Sequence, residues 1–190
     1  GDVLFNLDYV GTARLNACGE VRWRLKEKNH HSIARSENGT FWIPGVRRGD
    51  NAQSYPGLEN PWVDRILHVS GEGEILDDIS VLDILYQNDL ERYIAKARAT
   101  NLGDVTHLND IEPLPSSMAD EYPSFEAGDL VVSLKRLDLV FVFDPESLEV
   151  KWYVREPFIA QHDPDFTGEG WIGLFDNNED GTRKGTMLGG

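Results

Sequence analysis

Along most of the chain, apolar residues come in short runs cut off by Gly, Asn, Asp and Pro. "VRWRL", "TFWIPG", "RILHVS", "DLVVSL", "LVFVFD", "EVKWYV" and "WIGLF" are rich in Val, Ile, Leu, Phe and Trp. Branched and aromatic side chains suit the pleated surface of a sheet, and the flanking turn residues hold each run to strand length. The pattern predicts an all-β protein of many short strands. One stretch departs from it. In "ISVLDILYQNDLERYIAKARA", from Ile79 to about Ala99, residues Val81, Leu82, Leu85, Leu90, Tyr93, Ile94 and Ala97 fall near one face at helical spacing. This predicts one inserted amphipathic helix near 79–99, packed on the β domain, with Ser80 as its N-cap.

The strands recur as a repeat. "GEVRWRLKEKNHHSIARSENGTFWIP" and "LEVKWYVREPFIAQHDPDFTGEGWIGLF" both run from a strand with tryptophan (Trp23, Trp152) through a link and a histidine to a glycine that opens another aromatic strand. His31 precedes Gly39 by eight residues, and His162 precedes Gly170 by eight. A looser copy runs from "THLNDIEPLP" through the insertion "SSMADEYPSFEA" to Gly128 and "DLVVSL", with His107 in the histidine place. "RILHVSGEGEILDDIS" supplies an outer hairpin turning at Gly71 and Gly73. Multi-strand repeats at this spacing predict a β-propeller or partial propeller of about three to four blades, in one domain over residues 1–190. Closed propellers have about four to eight blades, so the expected form is a partial one, a fragment of a longer propeller. The ends, "GDVLFNLD" and "TMLGG", fit that expectation because both interrupt the pattern.

Charge narrows the function classes. With 18 Lys and Arg against 33 Asp and Glu, the net charge is -15. That argues against non-specific binding to nucleic acid or to an anionic membrane surface. No apolar run approaches the ~20 residues that span a bilayer, and no basic-then-apolar leader is visible. Cys18 is the single cysteine, so an internal disulfide is impossible.

The candidate chemistry lies in the histidines. His68 sits inside an apolar strand and reads as structural. His30 is adjacent to His31, and His31, His107 and His162 fall at the repeated place, where the blades of a propeller bring distant residues to one mouth of the channel. Imidazole exchanges charge near neutrality, and such a cluster can serve as nucleophile, as general acid and base, or as metal ligands. The separations of 76 and 55 residues between His31, His107 and His162 follow no local metal-ligand spacing. "DNNEDG", Asp176 to Gly181, resembles the opening of a calcium loop but has Met187 where the bidentate glutamate belongs. Trp42 and Trp171 recur with the repeat as packing residues and are also candidates for lining an aryl pocket.

"HHSIARSENGTFWIPG", "THLNDIEPL", "DLVVSLKRLDLVFVFDPESLEVKWYV" and "QHDPDFTGEGWIGLFDN" together resemble the arylsulfotransferase family from about residue 11 to 185. The resemblance implies a β-propeller that moves a sulfuryl group from an aryl sulfate to a phenol, with no cofactor and no nucleotide sulfate donor. It implies a periplasmic or secreted protein. It makes His162 the nucleophile that is transiently sulfated. It makes His31 and His107 the residues that hold the sulfate and handle protons, with Asn109 and His30 beside them. The family's arginine in a Ser-x-Arg element aligns with Lys135 of Ser133-Leu134-Lys135, and Arg136 follows it. On a strand, a one-residue slip to Arg136 would flip the face on which the cation emerges. Lysine lacks the two-pronged geometry of a guanidinium. A non-catalytic propeller that binds a ligand, the remaining blades of a parent chain or a second copy is the alternative.

Overall fold

A computed structural model describes residues 1–48, 55, 58, 61–94 and 103–178. Thirteen strands in this part form four antiparallel sheets. The first is β1 (Val3–Leu7), β2 (Gly11–Leu15) and β3 (Val21–Leu25). The second orders β4 (Ala34–Arg35), β5 (Phe41–Arg48), β6 (Trp62–Val69) and β7 (Ile75–Ser80) side by side. In the third, β8 (Leu108–Pro113), β9 (Leu130–Leu134), β10 (Leu139–Phe143) and β11 (Val150–Val154) follow the same meander. The fourth is the hairpin of β12 (His162–Gly168) and β13 (Trp171–Phe175).

All seven strands expected from the apolar runs are present. The architecture is the all-β partial propeller that the repeat predicts. Each sheet packs its face on the next, leaving three successive cores. Leu25, Phe41, Ile43, Leu67 and Val69 fill the first interface, with Trp23 and Ile33 at its margin. Ile66, Ile111, Val132 and Phe141 belong to the second, and Val131, Val140, Val142 and Phe166 to the third. Residues 131, 140 and 142 thus face one neighbour while 132 and 141 face the other, as strand alternation requires. That is why "LVVSL" and "LVFVF" are apolar except at Ser133 and buried at every position. β8 lies beside β4 and β5 on one side and beside β12 on the other. The three leading strands β4, β8 and β12 therefore line up around one axis.

The helix is shorter than its periodicity predicts. Ile79 and Ser80 close β7, and α1 covers only Val81–Gln87. Ser80 is the N-cap, its Oγ accepting from the Asp83 N–H at 3.4 Å. The Tyr55 hydroxyl lies 2.8 Å from the same oxygen and donates to Asp83 at 2.6 Å. Asp89 takes a left-handed φ of 57°, and Leu90 N–H bonds back to the Leu85 carbonyl at 2.8 Å. This is a helix-ending geometry, and Glu91–Tyr93 continue only as a 3-10 turn. The rest of the expected helix, 95–99, lies outside the described residues. Val81, Leu82, Ile84 and Leu85 are all fully buried, so α1 is a plug in the second core.

The first two sheets are pinned at one hairpin. Trp23 Nε1 donates to the Gly71 carbonyl at 2.9 Å, and Arg14 reaches the same oxygen at 2.6 Å. Gly73, in the β6–β7 turn, has φ +86°, and a Cβ there would stand 2.6 Å from the Trp23 ring. Gly73→Ala adds left-handed strain to that clash. It is expected to cost on the order of 2–3 kcal/mol, read as a fall in the urea midpoint. An unchanged midpoint would refute this account of the hairpin contact.

Candidate functional site

Each site histidine stands where the chain enters a leading strand. His30 and His31 occupy the β3–β4 connection, His107 directly precedes β8, and His162 opens β12. Since β4, β8 and β12 are neighbours, the rings meet. The His31 ring centroid lies 4.9 Å from that of His30, 5.2 Å from His107 and 6.0 Å from His162. Residues separated by 76 and 55 positions in sequence thus share one pocket of imidazoles.

The backbone is held into this position by side chains of the preceding sheet, in the same way three times. Asn6 of β1 donates to the His31 carbonyl at 3.0 Å and to those of His30 and Ser32 at 3.3 Å. Asp64 of β6 accepts from Leu108 N–H at 2.8 Å and from the Thr106 hydroxyl at 2.5 Å. Asn109 of β8 donates to the Gln161 carbonyl at 2.8 Å. His31 and His107 take left-handed φ values of 56° and 54°, and Ala160 and Asp163 flank His162 with 55° and 57°. Left-handed backbone costs a side-chain-bearing residue about 1 kcal/mol or more, a cost these braces sustain.

The ring nitrogens have distinct partners. His107 Nδ1 lies 2.6 Å from Asp104 Oδ2. Burial alone would raise the Asp104 carboxyl, but the hydrogen bond and charge of His107, with the Arg136 charge, hold it below the usual carboxylate range. His162 Nδ1 is 3.1 Å from the Ala160 carbonyl and 3.0 Å from the Asn177 side-chain amide. The Ala160 carbonyl only accepts, which favours a proton on Nδ1 and the lone pair on Nε2, whereas the Asn177 amide nitrogen facing the same atom donates and favours the reverse. Turning the Asn177 amide so that its oxygen faces the ring makes the second contact agree. His30 and His31 face each other through Nδ1 at 2.6 Å, one donating and the other accepting.

His30 is 2% exposed, stacks on Tyr9 and stands behind His31, its Nε2 3.8 Å from Asp64. Burial, then the His31 and His107 charges, push it down to about 3. Burial, then the His107 and His162 charges, push His31 down to about 4. Both rings are therefore neutral at pH 7. Asp64 is raised to about 6 by burial, against the hydrogen bonds from Thr106 and Leu108.

The two expected cations are placed differently from the strand reading. β9 ends at Leu134, and Lys135–Leu137 form a 3-10 turn, so strand alternation does not decide between them. Lys135 N–H bonds to the His107 carbonyl at 3.0 Å and Arg136 N–H to that of Thr106 at 3.1 Å. The Lys135 charge acts on His31. The Arg136 guanidinium lies 3.6 Å from Asp104 Oδ2, on the carboxylate that holds His107.

Other candidates lie elsewhere. Trp42 is stacked on His68 at 4.2 Å and lines a cleft of about 590 Å³ with Arg35, Glu112 and Pro113. Trp171, 70% exposed, lines another of about 400 Å³ with Phe125 and Trp152. Both clefts are at the far ends of the leading strands from the histidines. Tyr9 and Trp62, with Val46, Lys28 and Arg48, line about 250 Å³ at the histidine end. Asp176 caps the Ile159 and Asn178 N–H groups, both at 2.9 Å, and residues 179–181 of "DNNEDG" lie outside the described part. Among the described residues, no three His, Cys, Asp or Glu side chains are disposed to hold a metal ion, and no helix is long and apolar enough to cross a membrane.

The supporting residues Asn6, Asp64, Asp104 and Asn177 escape a reading by motif. Only Asp104, three residues before His107 in "GDVTHLND", lay close enough to be suspected.

Four strung-together antiparallel sheets form an all-β partial propeller, and the histidines that precede or open β4, β8 and β12 come together at one end of it. The family model of the arylsulfotransferases (ASST) matches residues 1–188, and the chain belongs to that family. No curated protein matches it.

Carboxylates crowd the strands below the site. Asp110 is pushed up to about 7 by burial and by the Asp163 and Asp165 charges, and Glu112 to about 7 by burial and by Asp110. A carboxyl raised on folding costs stability as pH climbs above its unfolded value near 4, fully so once pH passes its folded value near 7. Asp110→Asn should therefore stabilise the protein by on the order of 1–3 kcal/mol at pH 8, and leave it unchanged at pH 4. Chemical denaturation at the two pH values measures this. An equal effect at both would refute the charge account.

Proposed function

We propose that this chain transfers a sulfuryl group from an aryl sulfate to a phenol through a sulfohistidine at His162. The observation that carries this reading is the convergence of His31, His107 and His162 from three successive sheets, in a chain of the arylsulfotransferase family. The His162 tautomer favoured by the Ala160 carbonyl leaves the Nε2 lone pair for sulfur. Attack forms the N–S bond and breaks the S–O bond to the phenolate, which takes a proton from an imidazole. The acceptor phenol then gives up its proton, attacks the same sulfur and releases His162. Negative charge on the sulfuryl oxygens is met by N–H donors and by the Lys135 ammonium, the cation whose charge reaches His31. Lys135 as a point charge and Arg136 engaged with Asp104 divide between them the role of the family's single arginine. Asn109 acts on the backbone ahead of His162, and His30 on His31 from behind.

Purified protein is expected to release 4-nitrophenol from 4-nitrophenyl sulfate when phenol is present. Donor without acceptor should leave an acid-labile gain of one SO3 group on His162, visible by mass spectrometry of the intact chain and its peptides. His162→Ala should lower turnover by about 10³-fold or more. Wild-type turnover that His162→Ala leaves intact would overturn the assignment. Binding of the aryl sulfate without turnover would support the non-catalytic propeller instead.

A further inference from the structure

The pairing of the imidazoles is unequal, and that inequality assigns their roles. His31 Nδ1 meets another imidazole, and His162 Nδ1 meets a carbonyl and an amide. His107 Nδ1 meets a carboxylate. We infer that Asp104 is a positioning residue that makes His107 the proton carrier of the transfer. This rests on the sulfuryl-transfer reading above and extends it.

The pair is fixed from both sides. Asp104 bridges to Trp62 of β6, whose N–H bonds to the Gly103 carbonyl at 2.7 Å. The His107 backbone is clamped between Asp64, through Leu108, and the Lys135 N–H. The Arg136 guanidinium shares the Asp104 oxygen. With that charge and the His107 hydrogen bond the carboxylate stays ionised and accepts only, so His107 keeps its Nδ1 proton and moves protons through Nε2. The other groups around this ring are His31 at 5.2 Å, His30, buried Asp64 and Lys135.

The proton balance is complete without an outside reagent. In the donor half, His107 Nε2–H protonates the departing phenolate oxygen as the S–O bond breaks, and the ring becomes neutral. In the acceptor half, the incoming phenol returns a proton to Nε2 as its oxygen takes the sulfuryl group and the His162 N–S bond breaks. Asp104 compensates the imidazolium charge in the resting and final states and never takes the proton.

Asp104→Asn tests this with a series of aryl sulfates whose leaving phenols differ in acidity. A proton carrier matters most where the phenolate leaves poorly. The kcat for phenyl sulfate should fall by about 10²-fold or more, and that for 4-nitrophenyl sulfate by about tenfold or less, with KM within about twofold. Asp104→Glu should recover part of the phenyl sulfate loss. The nitrogen chemical shifts of His107, recorded at a pH high enough to leave the ring neutral, provide a second readout, showing Nδ1–H in the wild type and a tautomer mixture in Asp104→Asn. An active wild type with an equal loss for every leaving group, or with His107 protonated on Nε2 alone, overturns the inference and leaves the proposed function standing. A wild type that turns over no aryl sulfate overturns both.

Discussion

Everything at the site depends on polar side chains, buried at Asp64 and Asn109 and half-buried at Asn6, that cross from one sheet to the next. Asn6 holds the carbonyls around His31, Asp64 holds the backbone after His107, and Asn109 holds the carbonyl before His162. A hydrogen bond of this kind adds little net stability while made, yet an unpaired buried partner is expensive. The braces therefore act mainly by excluding alternatives. If a sheet slid on its neighbour, a buried amide, carboxylate or carbonyl would lose its partner. The apolar cores supply attraction without direction, and the braces convert it into a fixed arrangement of imidazoles.

The surroundings of the histidines bear on how a strongly acidic chain could serve the proposed sulfuryl transfer. The chain carries -15 overall, but the carboxylates nearest the histidines are committed. Asp104 is hydrogen-bonded to His107 and faces the Arg136 guanidinium, and Asp64 accepts from the Thr106 hydroxyl and the Leu108 N–H. Asp110 and Glu112 lie further along β8 and are raised far enough to be partly protonated near neutrality. His31 itself feels the Asp8 carboxylate as well as the Lys135 charge.

The sequence was most legible where a strand is buried on both faces. "LVVSL" and "LVFVFD" could hardly be anything else. It was least legible in the leading strands, where "LNDIEP" and "HDPDFTG" carry Asp, Asn and Pro because one edge faces the axis and one side bears the site. β1 and β2 were hidden for a related reason: Val3 and Leu7 are exposed, so their pattern is weak. The helix was overextended because apolar spacing continued past Asp89, and a left-handed residue gives no signal in periodicity. For the site, the repeat located the histidines, since blade symmetry is written into the spacing. The braces were not legible, because each acts on a backbone group of the next sheet rather than on a residue near it in sequence. Lys135 and Arg136 were compared as strand residues, and the strand stops one residue short of them.

The left-handed backbone at His31 and His107 has a consequence for how the molecule bears its own chemistry. Glycine would sit in those conformations without strain, and asparagine with less than histidine. The protein therefore carries each ring against the preference of the chain beneath it, and replacing either histidine by glycine would relax the fold while emptying the pocket. Under the proposed function, stability and reactivity draw on the same two residues in opposite directions.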